Sequence, residues 1–125
     1  MSDSFVKYQI LYEKQLIVTE YHGLLTRDLL DQHRTSVRDL VGNVKRFSTI
    51  DVLSHLRDFD MSNQDIVMMA FGSVIEPGVK RAFVAQTAAQ HLLAAKYSQA
   101  SGLCNYHFKT FSDLDTAQDW VSRSI

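Results

Sequence analysis

A chain of 125 residues, 46% hydrophobic and 22% charged, has the make-up of one globular domain large enough to bury a core. Its formal net charge of −1 gives no concentrated basic face for nucleic acid, and no apolar run approaches the roughly 20 residues of a membrane span. The start Met1-Ser-Asp-Ser4 lacks the basic and apolar segments of a signal peptide, and the single cysteine, Cys104, excludes an internal disulfide and suits a reducing compartment. A cytoplasmic protein is expected.

In Phe5 to Tyr12, Val6, Tyr8, Ile10 and Tyr12 fall on one side, the period of a strand. Glu13-Lys-Gln15 is a short polar turn, and Leu16 to Tyr21 is a second β-rich run. The connection is too short for a parallel crossover, so the two runs form a hairpin, which Gly23 is expected to end. Thr26 is a helix N-cap with Asp28 in the first turn. Leu29, Leu30, His33, Val37, Leu40 and Val41 then trace one stripe, with Gly42 in the place of a C-terminal glycine.

Residues 47–53, with Phe47, Ile50, Val52 and Leu53, read as a strand buried on both faces. A loop rich in acidic groups follows, and Ser62-Asn-Gln-Asp65 is a capping box opening a helix over 62–76. Ile66, Met69, Ala70 and Val74 share a face of that helix, and Pro77-Gly78 stops it. Lys80 to Gln86 is another short strand. Thr87-Ala-Ala-Gln90 is a second capping box, heading an alanine-rich helix with Leu92, Leu93 and Tyr97 and closed by Gly102. Leu103 to Phe111 alternates as a strand with one wet face. Ser112 to Asp115 is a third cap, and Leu114, Ala117, Trp120 and Val121 define a final helix.

The resulting order, ββαβαβαβα, predicts one α/β domain over residues 1–125. Its mixed, mostly parallel sheet carries helices on both faces. This layout resembles the SpoIIAA-like fold of anti-sigma-factor antagonists (STAS domains) and of small bacterial proteins of unknown function. The resemblance rests on Ile50-Asp51, on Leu56-Arg-Asp-Phe-Asp-Met-Ser62, on Lys80-Arg-Ala-Phe-Val-Ala85 and on Phe111-Ser-Asp-Leu-Asp-Thr-Ala-Gln-Asp-Trp120. STAS antagonists carry Asp-Ser-Ser-Gly at the start of the helix after the central strand, and a partner kinase phosphorylates the second serine. The matching residues here are Asp60-Met61-Ser62-Asn63. The resemblance thus implies a phosphorylation or partner-binding position at Ser62. Met61 and Asn63 depart from the pattern, although asparagine tolerates positive φ better than most residues.

From the residues themselves, Ser62 is either a switch or an ordinary helix cap. A phosphate there would add about −1.5 to −2 charges near Asp58, Asp60 and Asp65. Arg57, Asp58, Asp60 and Asn63 form either a partner-binding edge beside Ser62 or a set of solvated loop charges. Thr87 and Ser112, at the other helix starts, are candidates for an anion or polar ligand, although no glycine-rich phosphate loop accompanies them.

The histidines His22, His33, His55, His91 and His107 stand in no ligand spacing such as His-x-x-x-His, so neither a metal nor another cofactor is expected. Asp51 and His55 make a conceivable acid–base pair, yet the further groups of a catalytic triad are not evident, and no catalytic residue is assigned. Cys104 and Met68-Met69 read as core. The leading expectation is a non-enzymatic module that binds another protein through 56–63 and the helix after it. The alternative is a small-molecule or lipid-binding module using the helix N-termini. The alanine-rich helix 88–101 or an edge strand offers a surface for a homodimer.

Overall fold

The eleven-residue strand Leu16–Thr26 (β2) is the one to which most of the others attach. In the computed structural model, which describes residues 4–42, 46–66, 79–101 and 108–123, β2 pairs antiparallel with β1 (Phe5–Leu11). A 3-10 turn at Tyr12–Lys14 joins them, closed by Gln15 at a φ of 49°. The helix α1 (Arg27–Val41) follows at once. Next come β3 (Ser48–Val52), β4 (Leu56–Asp60) and the opening turn of a helix, α2, at 63–66. The remaining elements are β5 (Arg81–Val84), α3 (Ala88–Ser101), β6 (Phe108–Phe111) and α4 (Leu114–Ser122).

The six strands form one sheet ordered β1-β2-β3-β5-β6, with β4 paired to β2. Only β1 is antiparallel; the β2–β3, β2–β4, β3–β5 and β5–β6 pairs are parallel. The mostly parallel sheet opened by a hairpin is therefore observed.

Two expectations are corrected. Gly23 does not end the hairpin. It sits at a φ of 82° where the β2–β4 register shifts, so it carries β2 through a bulge. And 56–60 is not a loop but a strand. β3 pairs with the first half of β2, from Leu16 opposite Ser48 to Glu20 opposite Val52, and β4 with the second half, ending with Thr26 opposite Asp60. Leu53 to His55 is the short interruption between them, held to β2 by Gly23 N–H donating to the His55 carbonyl.

Alternation of side chains gives the sheet two faces. On the first, Tyr21, Leu25, Leu53, Leu56, Phe83 and Phe108 pack under Leu30 of α1, Ile66 of α2, and Leu93, Ala94 and Tyr97 of α3. Ile17, Val37 and Phe47 extend that layer at the other end of α1. On the second face, Leu16, Val18, Ile50, Val52, Ala82 and Val84 meet Ala117 of α4. Helices thus cover both faces, as expected. Among the described residues α4 alone packs on the second face, against β3, β5 and β6. Among the described residues no helix covers β1 on that face, where Phe5, Lys7 and Gln9 are exposed.

A buried lysine fastens α4. Lys80 donates from Nζ to the carbonyls of Trp120 (2.8 Å) and Arg123 (2.6 Å) at the C-terminal end of the helix, and lies 4.9 Å from the Trp120 ring centroid. The body of helix 62–76, Met68-Met69, Pro77-Gly78, Gly102, Cys104 and His107 lie outside the described residues.

Candidate functional site at the strand carboxyl ends

The parallel strands all run toward one rim, where open α/β sheets collect ligands. Four helix starts stand there, and local chemistry fixes each. At α2 the capping box forms as read from the sequence. Ser62 Oγ accepts from Asp65 N–H at 3.1 Å, and Asp65 accepts from Ser62 N–H at 3.0 Å. The Ser62 N–H, joined by the Arg27 guanidinium at 3.2 Å, holds the Asp65 carboxyl below the usual carboxylate range. Ser62 itself is exposed.

Beside it, Arg57, Asp58 and Asp60 are exposed on β4, whereas Phe59 and Met61 pack against the first core. Asp58 accepts from the following N–H, that of Phe59. Asn63 accepts from Lys96 of α3 at 2.9 Å. The five residues picked from the sequence for partner binding therefore lie together along β4 and the first turn of α2. Four of them, Asp58, Asp60, Ser62 and Asn63, present exposed polar groups beside Arg57.

The two anion candidates are arranged differently. At α3, Thr87 Oγ1 accepts from Gln90 N–H, and the Gln90 side chain accepts from both Gln86 N–H and Thr87 N–H. The buried Gln90 also donates to the Leu56 carbonyl, tying α3 to β4. At α4 the cap is Asp113, not Ser112: its carboxylate accepts from Thr116 N–H and Thr116 Oγ1. Asp113 wins because a carboxylate is the stronger acceptor and favours the positive helix end, and the Thr116 donors keep its pKa below the usual range. The carboxamide of Gln90 and the carboxylate of Asp113 thus take helix-end donors that an anion would need.

Asp51 and His55 do not meet. Asp51 is on the first face, where it accepts from the buried Tyr21 hydroxyl at 2.8 Å and from Thr49 Oγ1 at 3.5 Å. Arg81 donates to Thr49 and to Tyr97, extending a polar row through the core. Burial, followed by the Asp51 charge, pushes the Tyr21 hydroxyl well above its usual pKa. His33 of α1 joins this layer through Thr19 at 3.3 Å. Its buried Nδ1 has no hydrogen-bond partner among the described residues.

His55 is on the second face, in a group the sequence reading did not find. Its ring stacks on His22 with centroids 4.5 Å apart, and Phe5 stacks on His22 at 4.4 Å. Glu20 Oε1 lies 3.3 Å from His22 Nε2 and 3.4 Å from His55 Nε2. The Glu20-x-His22 spacing in a strand was the available signal, since it puts both side chains on one face. His55 needed the β3–β4 interruption, which sequence patterning did not show.

No protein-family profile matches this sequence, and no curated protein does. Among solved structures it is similar to an uncharacterized protein of the DUF3478 family with a SpoIIAA-like fold from Shewanella loihica PV-4. The TM-score is 0.68 at 16% identity, over 97% of this chain and 98% of that one. No helix among the described residues is long and apolar enough to cross a membrane. At that identity the likeness carries the fold and nothing finer: this chain has a SpoIIAA-like, STAS-like fold.

Proposed function

We propose that this domain is a cytoplasmic, non-enzymatic module that binds another protein along β4 and the start of α2. The observation that carries the reading is the exposure of Ser62 at the head of α2, beside the exposed charges of Arg57, Asp58 and Asp60. Its position matches the phosphorylated serine of the STAS pattern, and the fold supports that comparison. A phosphate there would bring about −1.5 to −2 charges to a rim already carrying Asp58, Asp60 and Asp65, altering what can dock. The helix-end ligand reading is less favoured, because Gln90 and Asp113 already take backbone donors of α3 and α4.

The test is affinity capture from host lysate with wild-type chain, Ser62→Ala and Ser62→Asp, with phosphosite mapping. The expected result is a partner kept by one variant and lost by the other, with both variants folded by circular dichroism. Identical capture by all three would remove Ser62 from the interface. A homodimer belongs to the same proposal. The outer face of α3 exposes Ala88, Ala89, Ala95 and Leu92, the last at 52%, and Leu92→Glu is expected to shift a dimer to monomer on a sizing column.

A further inference from the structure

We propose that Glu20, His22 and His55 form a binding site for a divalent transition-metal ion on the β1 side of the second sheet face. Two segments converge there. Glu20 and His22 project from β2 on one face because they are two residues apart. His55 is delivered by the turn between β3 and β4, and its own carbonyl is tied to Gly23 N–H at 3.3 Å. The three ligand atoms lie within 4.8 Å of one another.

The distances decide what the group can hold. Bonds of about 2.0–2.2 Å from one metal to nitrogen and oxygen put neighbouring ligand atoms about 3.0–3.5 Å apart in tetrahedral or octahedral geometry. The 3.3 and 3.4 Å separations from Glu20 to the two imidazoles are of that size. The two rings, 5° from parallel, aim their Nε2 atoms in similar directions, so convergence on one ion requires one ring to tilt. His55 is the ring with room to do so, its side chain 49% exposed against 21% for His22. His22 is held between Phe5 and His55, which fixes the middle ligand before any ion arrives.

Without metal, His22 donates from Nε2 to the Glu20 carboxylate at 3.3 Å, and His55 Nε2 lies 3.4 Å from the same oxygen. With metal, each ring presents the Nε2 lone pair and carries its proton on Nδ1, so the ion takes the place the donated proton held. Two imidazoles and a carboxylate suit Zn²⁺, Ni²⁺, Co²⁺ or Cu²⁺, whereas Mg²⁺ and Ca²⁺ prefer all-oxygen shells. Three protein ligands leave at least one position facing solvent, open to water or to a ligand from outside. The ammonium of Lys7, which faces Glu20 across the hairpin, lies 5.8 Å from the Phe5 ring centroid.

The test is calorimetric titration of Zn²⁺, and separately Mg²⁺, into the full chain. The expected result is one Zn²⁺ site tighter than about 100 μM and no Mg²⁺ binding. His55→Gln and Glu20→Gln should each weaken Zn²⁺ at least about tenfold. A triple variant His91→Ala, His107→Ala, Cys104→Ser should bind Zn²⁺ as wild type does. His55→Gln is the decisive variant, because an exposed side chain can change without unfolding the domain, as circular dichroism would verify. Wild-type affinity weaker than about 100 μM overturns the proposal. So does unchanged affinity in His55→Gln and Glu20→Gln, or a loss that follows the triple variant instead. The outcome is independent of Ser62, whose variants should leave Zn²⁺ affinity unchanged.

Discussion

His33 shows how one half-buried side chain makes stability depend on pH. Burial holds its pKa below the ordinary value of about 6.5, with the Asp51 charge opposing and Arg34 adding to the effect. The folded state therefore takes up the proton less readily than the unfolded chain. The stability tied to neutral His33 is complete above about pH 6.5 and is lost as pH falls through the unfolded pKa toward the folded one. Urea melts at pH 7.5 and 5.5 should show a drop for wild type that is smaller in His33→Gln. A second residue-scale expectation concerns the Tyr21–Asp51 bond. Asp51→Ala strands the buried Tyr21 hydroxyl and should cost about 1–3 kcal/mol in a denaturant melt, whereas adding Tyr21→Phe should recover part of that loss.

At the scale of elements, α4 is secured at one end by Lys80 and capped at the other by its own Asp113. Lys80 binds the carbonyls at its C-terminus, so Lys80→Met should cost roughly 2 kcal/mol, the size of hydrogen bonds from a charged donor. At the other end, Asp113→Ala should lower the melting temperature and Ser112→Ala should not, since Asp113 carries the cap. The lowered pKa of Asp113 has the opposite pH sign to that of His33. Its contribution is present above the unfolded carboxylate pKa of about 3.9 and disappears as pH falls through the folded value.

For the whole molecule, the sheet joins two cores, and Ile50 is at the centre of one of them with no exposed surface. Ile50→Ala should cost about 2–5 kcal/mol, because the surrounding strands β2 and β5 hold the cavity open. The same arrangement separates the two functional proposals. Ser62 stands at the rim with the helices of the first face, and the Glu20–His22–His55 group sits on the second face beside β1, which no described helix covers there.

Local rules were enough for the elements whose signals are local. The period-2 run of β1, the β-rich run of β2, the apolar run of β3, and the capping boxes at Ser62 and Thr87 each follow from side-chain type and spacing or from a hydroxyl three residues before the N–H it accepts from, and all are observed. The parallel order followed from alternating strands and helices. Leu56–Asp60 was not legible, because three of its five residues are charged and its pairing depends on β2 continuing past Gly23. Propensity marks such a stretch as loop, and only a strand already in place turns it into β4. The meeting of His55 with Glu20 and His22, and the parting of His55 from Asp51, followed from the turn at Leu53 to His55 between β3 and β4: where that turn falls is set by β3 and β4 pairing with successive halves of β2, an arrangement that exists only once the sheet has formed.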